Sequence, residues 1–132
     1  MLPTILVVED YDDTRLLLRT ILESHGCNVL EAGSGVEAVV QAAKVAPDLI
    51  LMDMSLPNMD GCQATRQIRG LPGLGSIPII ACTAHNQWEW RARSILAGCT
   101  DFLRKPIDQN ELLQVLRRYL PESFGKARRT SA

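Results

Sequence analysis

Five short apolar runs, each followed by a stretch with helical spacing, succeed one another along the chain, and this alternation limits the fold more than any other feature. The runs are Thr4–Val8, Asn28–Glu31, Leu49–Asp53, Ile77–Cys82 (which tolerates Pro78 near its start) and Asp101–Leu103. Continuous Ile, Leu and Val without alternation mark strands buried on both faces. Between them, Asp12 or Asp13 can cap a helix running to about His25, with Leu17, Leu18, Ile21 and Leu22 as its apolar stripe and Gly26 at its stop. Ser34-Gly35-Val36-Glu37 has capping-box spacing and opens a second helix through Ala46, ended by Pro47. Gly61–Arg69 reads as a third helix and about Gln87–Ala97 as a fourth, stopped by Gly98. Asp108–Tyr119 is the fifth, capped by Asp108 with Glu111 three residues on. Alternating strands and helices predict an α/β fold: a parallel sheet with helices on both faces and right-handed crossovers.

A chain of 132 residues suits one domain with one core. The expected domain is residues 1–121. The segment 122–132 lacks periodicity and reads as a disordered tail or linker remnant, and its Lys126-Ala127-Arg128-Arg129 is too short to act as a nucleic-acid domain. A net charge of −1 gives no general attraction to nucleic acid or anionic membrane. No apolar stretch approaches the roughly 20 residues that a membrane helix needs. The N-terminus has no basic region before its apolar run and reads as a first strand rather than a signal peptide. Cys27, Cys62, Cys82 and Cys99 are scattered, with no Cys-x-x-Cys pair, as expected of small hydrophobes in a reducing cytoplasm.

Polar residues at the ends of the runs carry the chemistry. The first is followed by Glu9 and Asp10, the third ends in Asp53, the fourth leads to Thr83, and the fifth is followed by Lys105-Pro106. Ligand sites in open α/β sheets lie at the carboxyl ends of the strands. If the first and third strands are neighbours, three carboxylates converge, an arrangement that is unfavourable without a cation. A hard divalent ion such as Mg²⁺ relieves it with oxygen ligands. Asp53 could then act as a nucleophile toward a phosphoryl group, with the metal, Lys105 and Thr83 each neutralising one phosphoryl oxygen.

With these motifs the chain resembles a response-regulator receiver domain, the chemotaxis-Y-like phosphoacceptor module of two-component signalling. The resemblance covers roughly Pro3 to Leu120 and rests on Ile5-Leu6-Val7-Val8-Glu9-Asp10, on Leu51-Met52-Asp53 with the following Met54-Ser55-Leu56-Pro57-Asn58-Met59-Asp60-Gly61, on Cys82-Thr83-Ala84 and on Leu103-Arg104-Lys105-Pro106. It implies a flavodoxin-like (βα)5 fold with strand order 2-1-3-4-5. It implies that Asp53 is phosphorylated, that Glu9, Asp10, Asp53 and the Ser55 carbonyl hold Mg²⁺ or Mn²⁺, and that Thr83 and Lys105 bind the phosphoryl group. Phe102 falls at the switch-aromatic position. The implied partners are a sensor histidine kinase or histidine phosphotransfer protein and a downstream protein target, with a homodimer through the fourth helix, fifth strand and fifth helix as a further expectation. Lys105-Pro106 is a candidate cis peptide.

Other features have weaker readings. Trp88 and Trp90, two apart on a helix, point to different sides, and an exposed one would suit partner docking. His25 suits a helix C-terminus, and His85 stands two residues past Thr83, where the resemblance implies an influence on phosphate lifetime. A haloacid-dehalogenase-like Mg²⁺ phosphatase also uses a strand-end Asp but wants a second acid two residues on, where this chain has Ser55. A flavodoxin-type flavin carrier needs a phosphate-cradling loop after the first strand, where Glu9-Asp10-Tyr11-Asp12-Asp13 would repel phosphate. A DNA-binding output domain would take about 60–100 more residues. The expectation is a stand-alone receiver or one cut from a hybrid kinase.

Overall fold

The computed structural model describes residues 2–84 and 88–120, with the side chains of residues 88–90 excepted. The elements run β1 (Thr4–Val8), α1 (Asp12–Ser24), β2 (Asn28–Ala32), α2 (Gly35–Val45), β3 (Leu49–Asp53), α3 (Gly61–Arg69), β4 (Ile79–Thr83), α4 (Trp88–Ala97), β5 (Asp101–Arg104) and α5 (Gln109–Tyr119). The five strands form one sheet in the order β2-β1-β3-β4-β5, and every pairing is parallel. This is the flavodoxin-like strand order that the receiver-domain resemblance implies.

Strand alternation divides the core in two. On one face Leu6, Val8, Ile50, Met52, Ile79 and Ala81 pack with Ala38, Ala42, Ala64, Ile68 and Ala97 from α2, α3 and α4. On the other, Ile5, Val7, Leu49, Leu51, Ile80 and Cys82 pack with Leu18 and Leu22 of α1 and Leu112 and Leu116 of α5. The inner strands β3 and β4 are buried along their whole length, whereas the edge strands β2 and β5 are only partly so. The unbroken apolar runs in the sequence thus mark strands covered by helices on both sides.

Several local expectations shift. Strand β4 begins at Ile79, not Ile77, because Pro78 contributes only its carbonyl, which accepts from the Ile50 N–H at 2.9 Å. Neither Asp12 nor Asp13 caps α1. Tyr11 is the N-cap without a side-chain bond, and both acids lie in the first turn, where the helix dipole favours them. Leu17 leaves the predicted stripe and is 60% exposed, because α1 seats Leu18 and Leu22, four apart, against the sheet. The caps read for α2 and α5 are found: Ser34 accepts from the Glu37 N–H, and Asp108 from the Glu111 N–H. No helix among the described residues is long and apolar enough to cross a membrane. The tail 122–132 and His85 lie outside the described residues.

Candidate phosphoacceptor site

Because all five strands are parallel, their carboxyl ends share one edge, and the sheet order puts β1 and β4 on either side of β3. Val8 registers with Met52, and Asp53 registers with Cys82. Glu9 extends the β1 ladder by donating its N–H to the Ala32 carbonyl at 3.0 Å. Glu9 therefore stands one strand spacing from Asp53. Carboxylate oxygens of Glu9, Asp10 and Asp53 lie within 4.8 Å of one another. Asp53 and Glu9 are almost fully buried, at 2% and 3% exposure, while Asp10 is exposed.

Lys105 closes the group from the far side of the sheet. Its N–H continues the β5 ladder to the Thr83 carbonyl at 2.9 Å, and the Lys105-Pro106 peptide is cis. Its Nζ donates to Glu9 Oε1 at 2.9 Å and lies 3.0 Å from Asp53 Oδ1. The remaining contacts are local. Glu9 Oε2 accepts from the Tyr11 N–H at 3.1 Å, and Asp53 Oδ1 accepts from the Ser55 N–H at 2.9 Å.

Burial pushes the Glu9 carboxyl above its ordinary value, and the nearby Asp53 adds to the rise, while the bonds from Lys105 and the Tyr11 N–H oppose it. Desolvation works to lower the Lys105 ammonium, but its bonds to Glu9 and Asp53 prevail and raise it. Three carboxylates facing one ammonium leave an excess of negative charge. The donor set is all oxygen, and Asp10 turns its exposed carboxylate to the same point, so these residues fit a hard divalent cation such as Mg²⁺.

The turn after Asp53 depends on close backbone packing. A Cβ at Gly61 would lie 2.6 Å from the Asp53 carbonyl oxygen and 2.7 Å from Met54 Cα. Only glycine lets the start of α3 pass this close behind the acid. Asp60 caps that helix, accepting from the Gln63 N–H at 2.9 Å.

Thr83 ends β4, buried at 6% exposure, one residue past the Cys82 that registers with Asp53. Phe102 is half-buried, registers with Ala81 and packs on the face covered by α2, α3 and α4, with the Arg91 guanidinium 5.8 Å from its ring centre. Trp88 and Trp90 belong to α4, but their side chains lie outside the described residues.

One contact was missed from sequence. Arg15 of α1 donates Nη1–H to the Glu9 carbonyl at 2.8 Å, Nε–H to Glu31 at 3.1 Å and Nη2–H to Asp12 at 2.7 Å. The signal was an arginine five residues past Asp10 on the buried side of α1, hidden among other charged residues.

Comparison with known proteins agrees with this geometry. The sequence profile of the response regulator receiver domain matches residues 5–117. The chain belongs to the receiver-domain family. Receiver domains are signalling domains rather than dedicated enzymes, and they pair with histidine kinases or phosphotransfer proteins. An uncharacterised 14.6 kDa protein of Leptolyngbya boryana is 38% identical to this receiver over 115 residues, covering 87% of this chain and 88% of that protein. Other relatives are sensor kinases such as GacS of Pseudomonas syringae, of which the chain spans only 13%. The receiver domain of sensor histidine kinase PA1611 from Pseudomonas aeruginosa, solved with magnesium coordinated in its active-site cleft, is 37% identical. It superposes with a TM-score of 0.84 over 90% of this chain and 98% of that one. The receiver domain of Ssk1 from Saccharomyces cerevisiae, solved with the histidine phosphotransfer protein Ypd1, is 28% identical, with a TM-score of 0.80 and 90% of each chain covered.

Proposed function

We propose that this receiver takes a phosphoryl group onto Asp53 from the phosphohistidine of a sensor kinase or phosphotransfer protein, and that the modified state changes affinity for a downstream protein. The observation that carries this reading is the buried Asp53 carboxylate, bonded to Lys105 and gathered with Glu9 and Asp10 within 4.8 Å. In a receiver domain, this set supplies a nucleophile and the charges to neutralise what it receives.

An Asp53 carboxylate oxygen attacks phosphorus as the phosphorus–nitrogen bond of the donor breaks, and the bond electrons stay with the departing imidazole. Lys105 exchanges its carboxylate contacts for one phosphoryl oxygen, and the Thr83 hydroxyl donates to another. Glu9, Asp10, Asp53 and the Ser55 carbonyl would hold Mg²⁺ or Mn²⁺. When bound, the cation screens the carboxylates and neutralises charge on the phosphoryl oxygens. Hydrolysis by water returns the carboxylate. The new group brings about −1.5 to −2 charges, and the Thr83–Phe102 pair on neighbouring strands is the element that responds. The output surface is α4-β5-α5, including Trp88 and Trp90, and it also serves any homodimer. The setting is cytoplasmic.

The test is incubation with acetyl phosphate and Mg²⁺, or with a phosphorylated phosphotransfer protein. Acid-labile phosphate should appear at one per chain and vanish in Asp53→Ala. Labelling of Asp53→Ala at the wild-type level would overturn the assignment. Ser55 is polar but not acidic at the position where a haloacid-dehalogenase-like phosphatase needs its second acid, so repeated turnover of p-nitrophenyl phosphate is not expected.

A further inference from the structure

Arg15 is 19% exposed, and its fork reaches three acceptors at once: the Glu9 carbonyl, Glu31 on β2 and Asp12. It forms one wall of an open cleft of about 430 Å³ that Asp10, Glu31, Gly33 and Glu37 also line, directly beside the acid cluster. Glu31 is held from a second side by Arg19, whose Nη1 donates to Oε2 at 2.6 Å.

The bond to the Glu9 carbonyl matters because that carbonyl belongs to the peptide joining Glu9 to Asp10. Strand β1 ends at Val8, and the last rung past it uses the Glu9 N–H, not its carbonyl. A peptide is planar, so fixing the carbonyl direction fixes the plane from which the Asp10 Cα–Cβ bond departs. The Glu9 side chain has its own anchors in Lys105 and the Tyr11 N–H. The Asp10 side chain has no hydrogen bond among the described residues, so its approach to the cluster is set by the backbone that carries it.

We propose that Arg15 is a positioning residue for the cation half of the site: by gripping the Glu9 carbonyl it aims the Asp10 carboxylate and so sets the affinity for a divalent ion. This rests on the metal-assisted phosphoacceptor reading given above. Two effects of Arg15 oppose each other. Its positive charge repels a cation, although Asp12 and Glu31 offset much of it, while its fork holds the ligand in place. Arg15→Lys separates them, because it keeps the charge but loses the rigid fork: Arg15 reaches the Glu9 carbonyl, Glu31 and Asp12 from three different nitrogens, and the single nitrogen of a lysine cannot stand at all three places at once.

The experiment is calorimetric titration of the metal-free full chain with MgCl₂, alongside acetyl phosphate labelling as a function of Mg²⁺. Partners that orient metal ligands typically contribute 10–100-fold in metal affinity. Arg15→Lys should bind Mg²⁺ about 10-fold more weakly. Its labelling should half-saturate at correspondingly higher Mg²⁺ yet reach the wild-type rate at saturation. Arg19→Lys, which keeps the charge beside Glu31 and is not among the contacts of the Glu9 carbonyl, should match wild type. The proposal fails if Arg15→Lys binds Mg²⁺ within twofold of wild type, or if Arg19→Lys is weakened as much. If Arg15→Lys shows no cooperative melting in EDTA, Arg15→Gln is titrated instead; because it also removes the repelling charge, weaker Mg²⁺ binding supports the proposal, and unchanged or tighter binding overturns it. A wild-type chain that binds no Mg²⁺ would instead overturn the proposed function itself.

Discussion

Replacing Lys105 with Met removes an ammonium that lies 2.9 Å from Glu9 Oε1 and 3.0 Å from Asp53 Oδ1, on carboxylates whose side chains are 4% and 3% exposed. At an effective dielectric of about 20, opposite unit charges about 3 Å apart attract by roughly 5–6 kcal/mol before desolvation is counted. Breaking a fully buried pair by deleting one partner costs about 3–5 kcal/mol. The Lys105 side chain is 25% exposed, so water screens part of the interaction. The expected loss for Lys105→Met is about 2–3 kcal/mol at pH 7 without divalent cation.

The pH dependence of that loss is the sharper signature. Glu9 already sits above its ordinary value of 4.5, chiefly because it is buried. Deleting Lys105 removes a bond that lowers it, so it rises further. A carboxyl whose folded pKa exceeds its unfolded one binds its proton more tightly when folded. Stability is then greatest below the unfolded value and is lost as pH rises through the folded one. The gap between wild type and Lys105→Met should therefore narrow on acidification toward pH 4.5, by at most about 1.4 kcal/mol per pH unit. Mg²⁺ should also narrow it. Urea unfolding at pH 5, 6, 7 and 8, with EDTA and with Mg²⁺, measures both. A variant as stable as wild type at pH 7 in EDTA, or a gap that widens as pH falls, refutes the reasoning.

Gly61→Ala should lower stability by roughly 1–3 kcal/mol and slow acetyl phosphate labelling, because the added Cβ meets backbone atoms of Asp53 and Met54 that cannot yield. Unchanged melting and unchanged labelling together would count against that packing. All four cysteines are buried, and burial pushes the thiols of Cys27 and Cys99 up to about 11 and that of Cys82 to about 12. A thiol reagent at pH 8 should label the native chain slowly and all four sites after denaturation, and fast stoichiometric labelling of the native state would contradict it.

What the chain announces locally and what it does not can be seen at particular residues. Leu49–Asp53 reads as a buried strand because a continuous apolar run needs cover on both faces, and Ser34 and Asp108 mark helix starts because each side chain bonds its own backbone three residues on. Leu17 was misplaced because a stripe of adjacent leucines on α1 does not say which pair faces the sheet; packing against β1 and α5 chooses Leu18 and Leu22. Asp12 looked like a cap and is instead the partner of Arg15, a choice made by a guanidinium that Glu31 of β2 and the Glu9 carbonyl already hold in place.

The sequence alone determined the alternation of strands and helices, the parallel sheet and the acids at its edge, since each follows from periodicity and turn chemistry within a few residues. Only the tertiary structure decided that Lys105 reaches Glu9 across 96 positions of chain, and that Arg15 holds the peptide that carries Asp10. Such contacts depend on strand order and register, which bring distant residues to one edge. A partner that lies far along the chain leaves no mark on the pattern of a side chain's neighbours in sequence.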